Sequence, residues 1–381
     1  MNAALLQRLR QSLVQREAST LRRKLTARAS ADARVNLADN DYLGLSRDPA
    51  VIAAGVAALQ EWGASSSASP LVTGYTEIHQ KLEQTLAAWQ GYAHGLVMNT
   101  GFAANSAVLG GLPKKGDVVL ADRLVHASML DGILASGARL RRFAHNDLDA
   151  LELMLHEEPA LDGVIFVVTE SVYSMDGDSP DLKRLASLRK RFGFCWVLDE
   201  AHATGWYGAT GSGLQEAQGV FAAADIVVGT LGKGLGSQGA YVLSHAPEVR
   251  DALINFAGEF VYSTYLAPSC AAAAVAAVER VKAMSAERAE LHALSHAWRD
   301  GLVEAGFAVP SGDSPIIPLI LGDSDVTLRY AEALRAAGFM VSAIRPPTVP
   351  VRTGRIRISL CRGLSPAVLA SFVSALKGVT P

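Results

Sequence analysis

Short apolar runs rich in β-branched residues alternate along much of the chain with longer stretches of helical periodicity. The strand-like runs lie at GLVM (95–98), DVVLA (117–121), GVIFVVT (163–169), CWVLD (195–199), DIVVGT (225–230) and AYVLS (240–244). Helical patterns occupy 101–112, 126–136, 147–157 and 181–192. This alternation predicts an α/β fold in which helices cover both faces of a mostly parallel sheet.

The pattern changes after a long helical stretch that runs from 266 to about 305. Two strand-like runs follow, PIIPLIL (315–321) and GRIRISL (354–360), with a helix at 325–338 between them and another helix after the second. Strands and helices in this arrangement predict a smaller α+β lobe in addition to the large sheet domain.

The length of 381 residues is sufficient for a large core and two lobes. We predict that an N-terminal helix and extended segment, 1–44, form part of the small lobe. The large domain is predicted to span 45–280, and the small C-terminal domain is predicted to span 281–381.

The amino-acid composition limits which binding partners and which cellular compartment we expect. Half of the residues are hydrophobic, and 35 basic residues nearly balance 37 acidic ones, which argues against electrostatic binding of nucleic acid. Cys195, Cys270 and Cys361 lie far apart and fit a reducing cytoplasm better than a disulfide framework. The apolar run LAPSCAAAAVAAV (266–278) is too short to span a bilayer, so no membrane partner is predicted.

The glycine-rich stretch GTLGKGLGSQG (229–239) imitates nucleotide-binding motifs. GLGSQG (234–239) has the dinucleotide spacing, but the strand-like AYVLS follows where that motif requires a helix. The spacing around Lys233 also differs from that of a phosphate-binding loop. DEAH (199–202) resembles a helicase box, which has no meaning without such a loop. A lysine in a small-residue turn at a strand end remains, and it can bind an aldehyde cofactor as a Schiff base.

An acid at a neighbouring strand end fits the same chemistry. Asp199 ends the apolar strand CWVLD, where ligands bind at the carboxyl ends of parallel strands. It could hold the ring nitrogen of pyridoxal phosphate in its protonated form. His202 could reach the phenolic oxygen, and His126 could stack on the ring. Thr100, with the following residues of a helix start, supplies backbone N–H groups for the phosphate.

The chain resembles the α-oxoamine synthases, which are fold-type I enzymes that depend on pyridoxal phosphate. The resemblance covers nearly the whole chain, from LRRK at 21 to RIRISL at 355. It is carried by NDYLGLS (40–46), HNDLDALE (145–152), TESVYSMDGDSP (169–180), LDEAHATG (198–205), GTLGKGLG (229–236) and AIRPPTVP (343–350). It implies a fold-type I architecture and a transferase activity.

The resemblance also implies roles for cofactor-binding positions. Lys233 would form the Schiff base and move the Cα proton, and Asp199 would pair with the ring nitrogen. His126 would stack on the ring, while His202 and Ser174 would lie at the phenolic oxygen. The phosphate would be held by Gly101, Phe102 and Thr230, with Ser263 and Thr264 contributed by the second subunit of a homodimer.

Substrate positions are implied in the same way. Arg355 and Asn40 would bind the carboxylate of the amino acid, and Arg22 and Thr348 would lie near the acyl thioester. GRIRISL carries Arg357 as well as Arg355, and we take the register of this strand to decide which of the two faces inward. GASSSASPLVTGY (63–75) departs from the family by replacing glycines with serines and Pro70, which puts the contacts of this loop in doubt.

The expected substrates are L-alanine and a pimeloyl thioester, because AIRPPTVP and RRFAHND are typical of the family member in biotin biosynthesis. The acyl carrier, CoA or a carrier protein, stays open. Two alternatives also stay open: a sibling that uses glycine or serine with another acyl-CoA, and a catalytically silent domain that binds the cofactor. No metal is predicted, since His292 and His296 are four apart on a helix without a third ligand at a useful spacing.

Overall fold

The structure is a computed structural model, and it describes residues 1–158 and 163–379. The chain divides into two compact units, one of Met1–Asp39 with His292–Pro381 and one of Asn40–Leu291. The boundaries therefore fall near positions 39 and 291, whereas the sequence pattern placed them near 44 and 280. The second boundary falls within one helix, so no break in periodicity marks it.

Fourteen α-helices are present in the described residues. They are α1 (Ala3–Ala18), α2 (Pro49–Trp62), α3 (Glu77–Gln90), α4 (Gly101–Gly111), α5 (Ala127–Ser136), α6 (Leu148–Glu157), α7 (Leu182–Phe192), α8 (Leu214–Ala217), α9 (Pro247–Phe256), α10 (Gly258–Val261), α11 (Pro268–Ala283), α12 (Ser285–Glu304), α13 (Ser324–Ala336) and α14 (Pro366–Lys377). A short 3-10 turn covers Leu45–Arg47, and a π-helical turn covers Pro70–Gly74. None of these helices is long and apolar enough to cross a membrane.

The same residues form twelve strands. They are β1 (Val35–Asn36), β2 (His94–Met98), β3 (Val118–Asp122), β4 (Arg139–Phe143), β5 (Ile165–Glu170), β6 (Cys195–Asp199), β7 (Ile226–Thr230), β8 (Ala240–Ser244), β9 (Ile316–Gly322), β10 (Phe339–Met340), β11 (Ser342–Ile344) and β12 (Gly354–Ser359). The six strand-like runs of the large domain are confirmed as β2, β3, β5, β6, β7 and β8.

A seven-stranded sheet organises the unit of residues 40–291. Its order is β2-β8-β7-β6-β5-β3-β4, and every strand is parallel to its neighbours except β8, which runs antiparallel to β2 and β7. The inner strands are almost fully buried, as expected for a sheet covered on both faces. Each fully buried aliphatic side chain contributes about 1.5–3 kcal/mol relative to an exposed one.

Strand β4 is missing from the sequence prediction. Its residues, RLRRF, carry three arginines in five positions, and most of them are not buried. The strand lies at the edge of the sheet, where charged side chains are common and prevent further strand pairing. A search for apolar runs therefore does not detect strand β4.

Side chains at loop positions define where helices begin. Thr100 caps α4 by accepting a hydrogen bond from Ala103 N at 3.1 Å, and Asp181 caps α7 through Arg184 N at 2.9 Å. Glu200, the acid of the DEAH stretch, accepts bonds from Leu214 N and Gln215 N at 3.0 Å each. This buried carboxylate therefore anchors α8, which explains the DEAH stretch without a nucleotide.

The unit of residues 1–39 and 292–381 has its own antiparallel sheet in the order β11-β12-β9, and β1 pairs in parallel with β10. Arg355 and Arg357 both lie on the central strand, β12, and both are buried. Residues two apart on a strand face the same side of a sheet. The expectation that register would choose between these arginines was therefore wrong.

Candidate active site

Polar residues gather at the carboxyl edge of the seven-stranded sheet. Asp122, Glu170, Asp199 and Thr230 are the last residues of β3, β5, β6 and β7, and all four are buried. In an open α/β sheet, ligands bind beside this edge. Buried polar groups here therefore mark a candidate site.

The turn that carries Lys233 closes between two antiparallel strands. Leu231 N donates to Gly239 O at 2.9 Å, and Gly236 N donates to Lys233 O at 2.9 Å. Gly236 has φ +61°, and a Cβ there would lie 2.3 Å from Ser46 N, so close packing requires this glycine. Strand β8 follows directly, which confirms that GLGSQG is not a dinucleotide fingerprint.

Lys233 begins a chain of hydrogen bonds. Its Nζ lies 2.9 Å from His202 Nε2, and His202 Nδ1 lies 2.6 Å from Tyr42 Oη. Tyr42 Oη in turn donates to Asn40 Oδ1 at 3.2 Å. When Nε2 accepts from the lysine, Nδ1 carries the proton and donates to the tyrosine. All three links can then form at once, with the donors pointing in one direction.

Asp199 is held by a second set of contacts. Asn105 Nδ2 donates to Asp199 Oδ2 at 2.9 Å and to Ser128 Oγ at 3.2 Å, and Ala201 N donates to Asp199 Oδ1 at 2.8 Å. His126 Nδ1 lies 2.8 Å from the same Ser128 Oγ. The amide thus links the carboxylate to the histidine through one hydroxyl, and both groups have fixed orientations.

The charge state of His126 follows from its surroundings. Burial lowers the pKa of His126, while the charges of Asp199 and Lys233 act in opposite directions. The imidazole is therefore neutral at neutral pH. A neutral ring can stack on an aromatic cofactor without the cost of burying a second cation beside Lys233.

Glu170 is a site residue that sequence reasoning missed. It pairs in register with Asp199 across β5 and β6, so their carboxyl groups face the same side of the sheet. Glu170 Oε1 is buried and has no hydrogen-bond partner among the described residues. Burial, together with the neighbouring Asp199 charge, raises the pKa of Glu170 well above its usual range. Glu170 is thus a neutral acid at neutral pH.

The helix start predicted to bind phosphate lies beside the lysine turn. The amides of Gly101 and Phe102 open α4, and first-turn amides have no partner within a helix. A Cβ built on Gly101 would lie 4.0 Å from the Cβ of Thr230, so these two residues face each other closely. Thr230 Oγ1 also accepts from Gly232 N at 3.2 Å. Together they form a cradle of N–H and hydroxyl groups that suits an anion.

The segment of Ser263 and Thr264 approaches this cradle within one chain. Asn99 Nδ2 donates to Thr264 O at 2.8 Å, directly before the start of α4. The serine-rich loop joins the same segment, since Ser66 Oγ donates to Tyr265 O at 2.7 Å. Ser67 in that loop has φ +62°, a conformation that favours glycine. Ser174 lies half-buried in the loop after β5, at the same edge of the sheet.

The remaining predicted substrate residues are Arg22, Thr348 and Arg355, which belong to the unit of residues 1–39 and 292–381. Arg355 is buried and donates from Nε to Thr353 O at 3.0 Å. Thr348 accepts a bond at 2.8 Å from Arg23 Nη2, whereas the predicted Arg22 forms an exposed ion pair with Glu17 at 3.0 Å. Arg23 is thus the cation that contacts the AIRPPTVP segment.

Two further residues escaped the sequence reasoning although they lie in quoted motifs. Tyr42 belongs to NDYLGLS and Asn105 to the helix that follows Thr100. Their contacts join residues 160 and 94 positions apart, so no local pattern could reveal them. On α12, His292 Nδ1 lies 3.2 Å from Asp313 Oδ2, and the described residues contain no group of three metal-ligating side chains.

The residues present fit pyridoxal phosphate. Lys233 supplies the amine for a Schiff base, Asp199 supplies a fixed anion for the ring nitrogen, and the start of α4 supplies donors for the phosphate. The cradle at Gly101 has no side chain to obstruct an anion.

Comparisons with known proteins agree with this geometry. The model of the aminotransferase class I and II family matches residues 33–376. The 8-amino-7-oxononanoate synthase of Geobacter metallireducens is 43% identical, with 90% of this chain and 88% of that protein covered. Relatives of this kind therefore match the chain over nearly its whole length.

Solved structures show the same architecture. A serine palmitoyltransferase from S. paucimobilis, solved with a bound PLP–myriocin aldimine, has a TM-score of 0.91 at 29% identity over 100% of this chain and 99% of that one. An 8-amino-7-oxononanoate synthase from Francisella tularensis has a TM-score of 0.78 at 27% identity over 91% and 96%. The predicted fold-type I class is confirmed. This chain belongs to the aminotransferase class I and II family, within the branch of the 8-amino-7-oxononanoate synthases.

Proposed function

We propose that this chain joins L-alanine to a pimeloyl thioester to form 8-amino-7-oxononanoate, a step of biotin biosynthesis, with pyridoxal phosphate as its cofactor. The observation that carries the proposal is the placement of Lys233 and Asp199 at one sheet edge, each with its own hydrogen-bonded support. The named relatives support the choice of substrates. A cytoplasmic location stays a prediction from the cysteine pattern.

The cofactor would be held by groups at one edge of the sheet. Lys233 would form the Schiff base, Asp199 would pair with the ring nitrogen, and His126 would stack on the ring. Ser174 and His202 would lie near the phenolic oxygen, and the start of α4 with Thr230 would hold the phosphate. When bound, pyridoxal phosphate supplies an electron sink that stabilises negative charge at the Cα of the amino acid.

Lys233 moves the proton in this scheme. Its neutral Nζ takes the Cα proton of alanine, and the electron pair left at Cα attacks the thioester carbonyl carbon. A C–C bond forms as the C–S bond breaks, and the thiolate leaves and takes a proton from solvent. The bond to the alanine carboxylate then breaks to release CO₂, and Lys233 returns a proton to Cα. His202 Nε2 lies 2.9 Å from Nζ in the structure and is itself bonded to Tyr42, so it can orient the amine.

The charge of Asp199 must stay close to the ring nitrogen during these steps. The bond from Asn105 fixes one carboxylate oxygen, and the Ala201 amide fixes the other. The protonated Glu170 next to it adds no second negative charge. An anion that is already oriented would keep the ring nitrogen protonated without reorganisation, which strengthens the electron sink.

Recognition of the amino acid would rest on Arg355 and Asn40. A buried guanidinium can pair with the alanine carboxylate through two parallel bonds. Arg22 and Thr348 are proposed to lie near the acyl thioester, and Arg23 joins them because of its bond to Thr348.

A homodimer with a shared site is part of the proposal. Leu71, Val72, Phe102 and Tyr262 are exposed in three segments, and bonds from Asn99 to Thr264 and from Tyr265 to Ala68 connect these segments. Exposed apolar groups that lie in connected segments suit burial by a second copy. Ser263 and Thr264 would then reach the phosphate of the neighbouring subunit.

Mixed dimers test the shared site. Neither Lys233→Ala subunits nor subunits with Ser263→Ala and Thr264→Ala should be fully active alone. A heterodimer of the two would contain one wild-type site if the site is shared, so activity should return in part. Purified heterodimers without recovery would show that each site is built from one chain.

Product identification tests the function itself. The enzyme should be offered alanine, glycine or serine with pimeloyl-CoA, a pimeloyl carrier protein, acetyl-CoA or palmitoyl-CoA, and products should be identified by mass. We expect thiol and CO₂ in equal amounts, with alanine and a pimeloyl thioester as the best pair. The two pimeloyl arms decide the acyl carrier.

A second candidate function has one observation in its favour. The solved serine palmitoyltransferases superpose with higher TM-scores than the solved 8-amino-7-oxononanoate synthase. Preference for serine with palmitoyl-CoA in the same panel would therefore replace the proposed substrates and leave the cofactor chemistry intact.

A further inference from the structure

A cluster of five residues lies at the same sheet edge and takes no part in the chemistry proposed above. His145 Nδ1 lies 2.9 Å from Asp122 Oδ1, and His145 Nε2 lies 2.8 Å from Asp178 Oδ2. Asn146 Nδ2 donates to the same Asp178 oxygen at 2.8 Å, and the Tyr173 ring meets the His145 ring edge to face at 4.4 Å. We call this group the histidine clamp.

The histidine clamp joins three loops that are separate in the sequence. Asp122 ends β3, His145 follows β4, and Asp178 lies in the loop after β5. Each loop is also tied by its backbone, since Asn146 N donates to Asp122 Oδ2 at 2.7 Å and Tyr173 N donates to Asp178 O at 3.0 Å. His145 is the residue whose two ring nitrogens connect the first loop to the third.

Both outer loops carry proposed cofactor residues. The loop after β3 reaches His126 four positions beyond Asp122, and Leu124 N donates to Asp122 Oδ1 at 2.7 Å on the way. The loop after β5 carries Ser174 directly after Tyr173, within the turn closed by Gly177 N and Tyr173 O at 2.8 Å. A shift of either loop would therefore move a cofactor contact.

The two bonds of His145 require its charged form. Both ring nitrogens can donate only when both carry protons. Burial lowers the pKa of His145, but the bonds and charges of Asp122 and Asp178 outweigh burial and raise it to about 10. The ring is therefore a cation between two carboxylates at neutral pH, and such charge-assisted bonds are stronger than neutral ones.

We propose that His145 is a positioning residue of the active site: by bridging Asp122 and Asp178, it fixes the loop that presents His126 against the loop that presents Ser174. The inference rests on the roles proposed above for these two residues. It assigns a task to His145 and Asn146 of HNDLDALE and to Asp178 of TESVYSMDGDSP, which the proposed chemistry does not use.

Two substitutions separate the halves of the clamp. The amide nitrogen of His145→Asn lies close to the position of Nδ1 and keeps the bond to Asp122, whereas that of His145→Gln lies close to Nε2 and keeps the bond to Asp178. The first variant should loosen the Ser174 loop, and the second should loosen the His126 loop, while Asn146 still bonds both Asp122 and Asp178 in each variant. His156→Asn and His156→Gln are matched controls, because His156 is exposed on α6.

The readouts are the dissociation constant of pyridoxal phosphate from the apoenzyme and the pH midpoint of the visible absorbance of the bound cofactor. We expect His145→Gln to raise the dissociation constant about tenfold, as the loss of one charged bond would. His145→Asn should shift the pH midpoint and change the dissociation constant by less than about threefold. The His156 controls should match wild type in both.

Two reference variants at the proposed cofactor residues allow the possible results to be told apart. His126→Ala should reproduce the binding defect, and Ser174→Ala should reproduce the shifted midpoint. Wild-type values in both His145 variants, with altered values in the reference variants, would overturn the inference, and so would equal changes in both readouts for the two variants. Unaltered values in the reference variants would instead refute the proposed roles of His126 and Ser174. Asp178→Asn, at a half-exposed position, serves if the His145 variants do not fold, and it should match His145→Asn.

Discussion

Two histidines lie at the same edge of the seven-stranded sheet in contrasting surroundings. His202 lies between the amine of Lys233 and the hydroxyl of Tyr42, and one of its ring nitrogens can accept. His145 lies between the carboxylates of Asp122 and Asp178, and both of its nitrogens donate. His202 belongs to a series of hydrogen bonds that ends at the amine of Lys233. His145 is held between two carboxylates.

The difference shows that neighbours, rather than residue type, decide what a histidine does. Two carboxylates hold a histidine in its charged form, which then acts as a rigid bridge. Beside a lysine and a tyrosine, the imidazole of His202 can instead orient the lysine amine. The four predictions below test this contrast, in order of expected effect.

Removal of Lys233 should have the largest effect. Lys233→Ala leaves His202 with Tyr42 but removes the amine that binds the cofactor and moves the proton. We expect kcat to fall by about four orders of magnitude or more. Borohydride should fix the cofactor to the wild-type chain and not to the variant, as mass spectrometry of the peptide can show. Trapping at another lysine would reassign the site.

Neutralising Asp199 should have the next largest effect. Asp199→Asn keeps the shape but removes the charge that would face the ring nitrogen, so kcat should fall by about 10²–10³-fold. Exchange of the alanine Cα proton, followed by nuclear magnetic resonance in deuterated water, should slow equally. Asp251→Asn, at an exposed position on α9, is the control. Normal exchange in Asp199→Asn would leave the ring nitrogen without its proposed partner.

The charge of His145 should make stability depend on pH. Its pKa is about 10 in the folded chain and near 6.5 when unfolded, so its contribution is complete below pH 6.5 and is lost as the pH rises towards 10. Tyr173, Asp122 and Asp178 surround the ring.

Thermal melts of the apoenzyme between pH 6 and 10 can measure this loss. His145→Gln should be less stable than wild type by about 2–3 kcal/mol at pH 6, discounted for partial exposure, and the difference should shrink by pH 10. Parallel curves for the two proteins across the range would mean that His145 is not charged in the fold.

Removing the Tyr42 hydroxyl from the hydrogen-bond chain of Lys233 and His202 should have the smallest effect. Tyr42→Phe removes the hydroxyl that accepts from His202 Nδ1, and the loss of such a buried hydrogen bond costs about 1–3 kcal/mol. We expect kcat to fall about tenfold while the KM for the thioester stays unchanged. Tyr330→Phe on α13 is the control. A wild-type kcat in Tyr42→Phe would show that His202 orients Lys233 without help.

Local patterns were sufficient for several features. Short apolar runs between helical patterns located six strands of the large sheet, because strands that are buried on both faces are nearly continuous apolar runs. Lys233 and Asp199 were found for a related reason: each is a polar residue at the end of such a run.

Other features depended on packing between distant segments. Strand β4 pairs at the sheet edge although its sequence is charged, and Glu170 becomes a neutral acid because it is buried and lies beside Asp199 of β6. The partners of His202 and His145 come from segments up to 160 residues away. The order of the strands in the sheet and the crossovers between them determine which distant residues come into contact. No short stretch of sequence contains this information.

The sequence by itself therefore determined the elements and the reactive groups of this protein, since backbone periodicity and side-chain chemistry are local properties. Only the tertiary structure decided which groups share a hydrogen bond and which carry charge. Charge states depend on burial and on neighbours within a few ångströms. The lysine was visible in the sequence, but the histidine that holds it and the histidine that bridges the adjacent loops became distinguishable only in the fold.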